Sequence, residues 1–437
     1  MSNELAFVAE WKALERGEPA ERACFSAFGI RHGTVWLTEA EDWFAQSLTE
    51  KVYLSAFPLA EWLAWNWWRL RWEPRTRAAD WPMAHRLSSI GHGYVWPNIT
   101  IVSDGERVAL IAEPTTKRPE EPLRYLVRHT VIVTARAFET ALDQFMTQIG
   151  ARLSLMKITE SNFERIWSEV VAERSDAGLA QRRKFEALLG ADPDESDPKM
   201  IERLVADAQA LGKDPMSEIA ADRPRTRSLL TAADLRRIAG SSGFAGSSND
   251  RVSFALHTPL PTRTEIPAWR LGATAARLLR EQQHLGAAPI SDVKLAELAG
   301  VAGQVLAATP QGGQMSFVLS ETNGATQTVL RSKWHEGRRF ELARLICDHL
   351  INPVDKLLPA TRSATYRQKV QRSFAAEFLA PFDEVTARLD GEYDSYDSRK
   401  EIADHFEVSE LTIRTSLVNH RRLEQEDLDA DFDRAVA

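Results

Sequence analysis

Apolar and polar residues alternate along NITIVSDGERVALIAE (residues 98–113), with a turn signal, Ser-Asp-Gly-Glu, at the centre. Period-2 alternation around such a turn predicts a β-hairpin. GTVWLTE (33–39) and RYLVRHTVIVTA (124–135) are also rich in β-branched and aromatic residues and predict further strands. Between them lies EWLAWNWWRLRWEP (61–74), preceded by Pro58 and closed by Pro74, which predicts a helix of about four turns. Trp65, Trp68 and Trp72 fall on one face, and Trp62, Leu63, Trp67 and Leu70 extend the apolar surface around it. The stripe reads first as core packing, because tryptophan buries a large area, with an aromatic binding groove as the alternative. Residues 1–135 therefore read as a Trp-rich α+β domain, holding 10 of the chain's 13 tryptophans. GHGYVWPN (91–98) reads as a tight loop, in which His92 alone makes no site.

From residue 136 to 239 the spacing becomes helical, as in AFETALDQFMTQIGARLSLM and IERLVADAQALG, broken by the polar ADPDESDPK. GSSGFAGSSND opens a stretch, 240–265, that reads as a linker. PAWRLGATAARLLREQQHLGAAPISDVKLAELAGV then predicts two helices, the second capped by Ser291 or Asp292. MSFVLSETNGATQTVLRS predicts two strands joined at Asn323-Gly324. Helices follow in RFELARLICDHL (339–350), in YRQKVQRSFAAEFLAPFDEV after a loop ending in LLPATRS, and in RKEIADHFEVSELTIRTSLVNHRRL. The fold class expected for the whole chain is α+β, with a mainly helical C-terminal domain carrying a small sheet. The final segment, 424–437, begins EQEDLDADFD; between Glu424 and Asp433 six acidic residues and no basic one read as a solvated tail.

Composition narrows the class. The 437 residues are 44% hydrophobic and 27% charged, as in ordinary globular chains, and no apolar run is long enough for a membrane span. The N-terminus has no signal-peptide core. Two cysteines, Cys24 and Cys347, exclude a disulfide framework and fit a reducing cytoplasm. A net charge of −8 gives no global basic footprint for nucleic acid.

Three separated motifs in the last third resemble the ImmA/IrrE family of zinc metallopeptidase-like proteins: Arg339-Phe340 with Leu342-Ala343, then Phe374-Ala375-Ala376-Glu377-Phe378-Leu379-Ala380-Pro381, then Val408-Ser409. The resemblance spans about residues 266–423. In that family the first helix carries His-Glu-x-x-His and the second a glutamate as third zinc ligand. The same frame here places Arg344 at the first histidine, Leu345 at the catalytic glutamate, Asp348 at the second histidine and Gln368 near the third ligand.

The family chemistry needs two neutral imidazoles one turn apart and a carboxylate to deprotonate zinc-bound water. Arginine stays protonated and cannot ligate, and leucine cannot accept a proton. The site therefore leans away from catalysis, with no metal and no cofactor expected. Arg344 and Asp348, spaced i,i+4 with opposite charges, are expected to pair where the ligands once met. An atypical metal set from His335, Asp348 and His349 would need a bent start to the helix, and Cys347 reads as a small buried side chain.

The resemblance implies a regulatory protein, bacterial or phage-related, in a toxin–antitoxin, mobile-element or antiphage setting. The expected function is a non-catalytic, peptidase-like regulator or sensor that binds a protein or peptide, in the cytoplasm and without a membrane. One alternative is an active metallopeptidase with atypical ligands. Another is a DNA-binding regulator, because residues 398–423 look like a helix-turn-helix. Between Asp397 and Leu423, five basic residues (Arg399, Lys400, Arg414, Arg421, Arg422) are balanced by five acidic ones (Asp397, Glu401, Asp404, Glu407, Glu410), which disfavours phosphate binding.

Overall fold

The alternation in residues 98–113 becomes an antiparallel hairpin, Ile99–Ser103 against Arg107–Ala112, with Gly105 at φ +97 in the turn. His129–Thr134 adds to its other side, Thr134 opposite Arg107. One face of this three-stranded sheet presents Ile99, Ile101, Val108, Leu110 and Val131 to the core, which is why the sequence alternates. This computed structural model describes residues 4–115, 122–226, 229–255, 260–264, 266–307 and 313–424. Residues 425–437 of the acidic tail lie outside the described residues. The chain is 50% helix and 17% strand, the strands forming several small antiparallel sheets, so the fold is α+β. No helix among the described residues is long and apolar enough to cross a membrane.

The chain divides into two compact units, residues 1–205 and 206–437. In the first, Leu5–Trp11 and Val52–Ser55 flank Phe25–His32 antiparallel. The helix Ala135–Leu155 buries Phe138, Leu142, Phe145, Ile149 and Leu153, spaced at helical intervals, in the core these sheets share. Its first turn is capped by Thr134. The region expected as a helical middle, 136–239, is therefore not a unit of its own: Ala135–Leu155 belongs to the first core, whereas Ala232–Ser242 belongs to the second unit.

The tryptophan segment is two helices, Ala56–Trp65 and Trp67–Trp72, broken at Asn66, whose side chain donates back to the Trp62 carbonyl. The expected one-face stripe is corrected. Trp67 and Trp68 are buried, but Trp65 is 52% exposed. The inward face is set instead by Leu59, Ala60, Leu63 and Ala64.

The second unit holds a four-stranded antiparallel sheet in the order Phe244–Ser247, Ala325–Val329, Ser316–Ser320, Leu357–Ala360. Two expectations change here. Residues 244–247, placed in a linker at 240–265, form an edge strand, Phe244 opposite Thr328. LLPA of the loop LLPATRS is the opposite edge strand, which tolerates Pro359 because an edge need not donate on both sides. Helix Ala268–Gln282 lies against Tyr366–Leu379 at Gly272, where an added Cβ would sit 2.4 Å from the Val370 carbonyl oxygen. The helix His335–Ile351 is the centre of this core.

Candidate functional site

The helix His335–Ile351 buries charged residues as well as apolar ones: Arg338, Arg339, Glu341, Arg344 and Asp348 are all inside. A buried charge must be paired or hydrogen-bonded, so the partners of each define the site.

Arg339, of the Arg-Phe motif, is fully buried and ties three separated segments together. Its Nη1 donates to Asp292, at the start of the helix Asp292–Leu298, and lies 3.0 Å from Glu407, in the left-handed turn before Val408-Ser409. Its Nη2 donates to the Ile290 carbonyl at 2.6 Å. Glu377, of the second motif, accepts from Arg277 at 2.8 Å and from the Phe382 amide that starts the next helix. Arg338 donates to the Leu306 and Lys333 carbonyls. These motif residues act as brackets between elements.

One turn further on, the structure places Arg344 beside Gln368. Arg344 Nη2 donates to Gln368 Oε1 at 2.5 Å, to the Thr361 carbonyl at 2.6 Å and to Gln371 Oε1 at 3.3 Å. Gln368 Oε1 also accepts from the Thr361 amide, and its amide nitrogen donates to the Pro359 carbonyl at 3.0 Å. The side chains at two positions of the expected ligand frame thus close on each other and on the edge strand Leu357–Ala360. Burial pulls Arg344 down to about 10, which leaves it a cation at neutral pH.

The expected Arg344–Asp348 ion pair is not formed. Asp348, 1% exposed, instead takes a bidentate grip from Arg367: Nε to Oδ1 at 2.7 Å and Nη2 to Oδ2 at 2.7 Å. An arginine fork matches a carboxylate edge better than the same-helix geometry allows. Arg367 also reaches Asp355 at 2.9 Å. Burial works against its charge, but Asp348, Glu218 and Asp355 outweigh that and hold it well above the ordinary range. Sequence reasoning stopped at Gln368 and missed its neighbour Arg367. Arg367 is one of three basic residues on the helix Tyr366–Leu379, and nothing in its local sequence sets it apart from Lys369 and Arg372.

Sequence reasoning also missed Glu218, on the helix Lys213–Thr226. Its Oε2 accepts from Thr365 Oγ1 at 2.6 Å and from Ser363 Oγ at 3.4 Å. Burial, opposed by Arg367, raises its pKa. From the same helix Asp222 accepts from the Arg362 amide at 2.9 Å. A cavity of ≈ 10 Å³ remains, bounded by Cys347, Asp348, Arg367 and Gln371. That is room for about one water molecule.

Leu345, at the position of the catalytic glutamate, is buried in the apolar core. His335 and His349 lie far along the helix from each other. His335 Nε2 meets Asp292 Oδ2 at 2.7 Å, whereas His349 is pushed down to about 4, first by burial and then by Arg251. The atypical set His335, Asp348, His349 does not converge: the one such group among the described residues is Asp292, His335 and Glu407, with ligand atoms within 4.8 Å of one another. Arg339 already bridges its two carboxylates, so a cation there would face a buried guanidinium. The residues at the expected zinc positions do not fit zinc either, since an arginine, a leucine and an amide replace ligand, base and ligand.

The two terminal helices, Tyr396–Phe406 and Glu410–Asn419, pack at the Glu407–Ser409 turn, and Ser409 caps the second. Arg399 is spent on Glu410 at 2.5 Å and the Tyr393 carbonyl. Cys24 and Cys347 are both free and buried. No family model, no curated protein and no solved structure matches this chain.

Proposed function

We propose that the protein is a non-catalytic, peptidase-like regulator or sensor that works by binding a protein or peptide partner. What supports this reading most is the pair Arg344–Gln368. Two positions that the resemblance assigns to zinc ligands hydrogen-bond to each other, and the third, Asp348, is neutralised by Arg367. A hydrolytic site needs a Lewis acid or an activated nucleophile within reach of an admitted substrate. Here Asp348 is neutralised from within, Arg344 donates through Nη2 while its Nε has no partner among the described residues, and the adjoining cavity of ≈ 10 Å³ does not admit a peptide. The motif residues Arg339 and Glu377 serve as structural brackets, so keeping the scaffold while losing the chemistry is physically consistent. The bacterial toxin–antitoxin, mobile-element or antiphage setting rests on the resemblance alone.

The test is capture of partners by the full-length chain in its native host after crosslinking, with mass spectrometry of the partner's termini. An intact partner supports the reading. A partner returned cleaved by wild type but not by Asp348→Ala would replace it with the active-peptidase alternative. The DNA-binding alternative predicts salt-dependent retardation of DNA by the same preparation.

A further inference from the structure

A second cavity, also ≈ 10 Å³, lies on the other side of the helix His335–Ile351. Leu342, Leu345 and Ile346 from the helix, with Val318 and Leu358 from the sheet, make its walls mainly apolar, Thr328 being the polar uncharged side chain among them. Arg251 and His349 are its ionisable lining residues. Arg251 is held there by its backbone. The next amide, Val252, donates to the Leu298 carbonyl at 3.0 Å. Gly300, at φ +62, leaves the space: a Cβ there would come within 2.9 Å of Arg251 N and Cγ.

Among the described residues the guanidinium has no ion-pair partner, and burial pulls it down to about 10. Arg251 Nη2 is enclosed and has no hydrogen-bond partner among the described residues. The other arginines of this core end on carbonyls or carboxylates, as Arg280 does on Gly286 and Ala288 and Arg367 does on Asp348. An enclosed cationic N–H with no acceptor is costly, and a bound acceptor removes that cost. The space admits one small sphere. Apolar walls cannot replace a strong hydration shell, so they exclude sulfate and phosphate by desolvation as well as by size. A guanidinium, itself weakly hydrated, suits a weakly hydrated anion.

We propose that the Arg251 cavity is a binding site for a single halide ion, held by the guanidinium with His349 beside it. Such an anion would tie the segment around Arg251 to the helix that carries Arg344 and Asp348. The proposal stands apart from the reading of that helix as non-catalytic.

Thermal unfolding of the full chain in chloride or bromide, against gluconate and sulfate at matched ionic strength, reads the site through ligand linkage. The midpoint should rise and saturate with the two halides. In Arg251→Met, which keeps the stem of the side chain, half-saturation should move roughly tenfold or more upward, as expected for loss of a charged hydrogen bond. An equal response in a folded Arg251→Met protein overturns the proposal. Bromide-soaked crystals of the unaltered protein give a second reading that does not depend on the variant. An anomalous peak beside Arg251 supports the site. A water without anomalous signal, at bromide levels that saturate the melt, overturns it.

Discussion

Removing the carboxylate of Asp348 should destabilise the second unit by ~3 kcal/mol or more. Asp348 is 1% exposed and receives two 2.7 Å bonds from Arg367. Breaking a buried pair of this kind costs ~3–5 kcal/mol, most of it from the stranded partner. Asp348→Leu leaves Arg367 with Asp355 at 2.9 Å, so the cost falls at the lower end of that range. Arg367→Leu strands Asp348 with, among the described residues, the Asn352 side-chain amide 3.0 Å away, and belongs nearer the upper end. The double change to leucine should cost less than the sum by roughly 2–3 kcal/mol, because neither charge is then left alone. The corresponding cycle for Arg344 and Asp348 should show a much smaller coupling, since their hydrogen-bond partners differ. Native-state hydrogen exchange of amides in the helix His335–Ile351 is the suitable assay, as it reports this element directly in a two-unit chain. Additivity within ~0.5 kcal/mol for Asp348 and Arg367 would refute the pairing, as would a coupling concentrated on Arg344 and Asp348.

Trp68→Ala should cost ~3–5 kcal/mol, whereas Trp65→Ala, at a half-exposed ring, should cost far less; urea midpoints at unchanged slope measure both. Gly272→Ala should destabilise by ~1–3 kcal/mol or more, read by the same melts, because its Cβ would meet the backbone of the helix Tyr366–Leu379. Burial pushes the Cys24 thiol up to about 12 from an ordinary value of 9.0. The unfolded chain therefore loses that proton first, and stability falls as pH rises from about 9 toward 12, by up to ~1.4 kcal/mol per unit. Cys24→Ala should make the alkaline loss shallower in pH-dependent denaturation, and an unchanged slope would contradict the assignment.

Elements with a strong local pattern were legible in the sequence. The hairpin at 99–112 alternates because one face is buried, and Ser291 caps the helix Asp292–Leu298, as one of the two residues expected there. The strands Phe244–Ser247 and Leu357–Ala360 were not legible. One is rich in glycine and serine and the other contains proline, so only their neighbours in the sheet make them strands. Trp65 misled for a related reason, since helical spacing gives a face but not which face meets the core. At the site, the residue types at Arg344, Leu345, Asp348 and Gln368 pointed away from a zinc centre. It did not show their partners, because Arg367 and Glu218 lie 19 and 130 residues from Asp348 along the chain.

Elemental analysis of the full-length protein, purified without chelators and dialysed against trace zinc, tests the central claim most directly. A closed Arg344–Gln368 and Asp348–Arg367 network predicts that zinc stays well below one atom per chain and that Asp348→Ala leaves the value unchanged. One zinc per chain, lost in Asp348→Ala and accompanied by peptide hydrolysis, would contradict it.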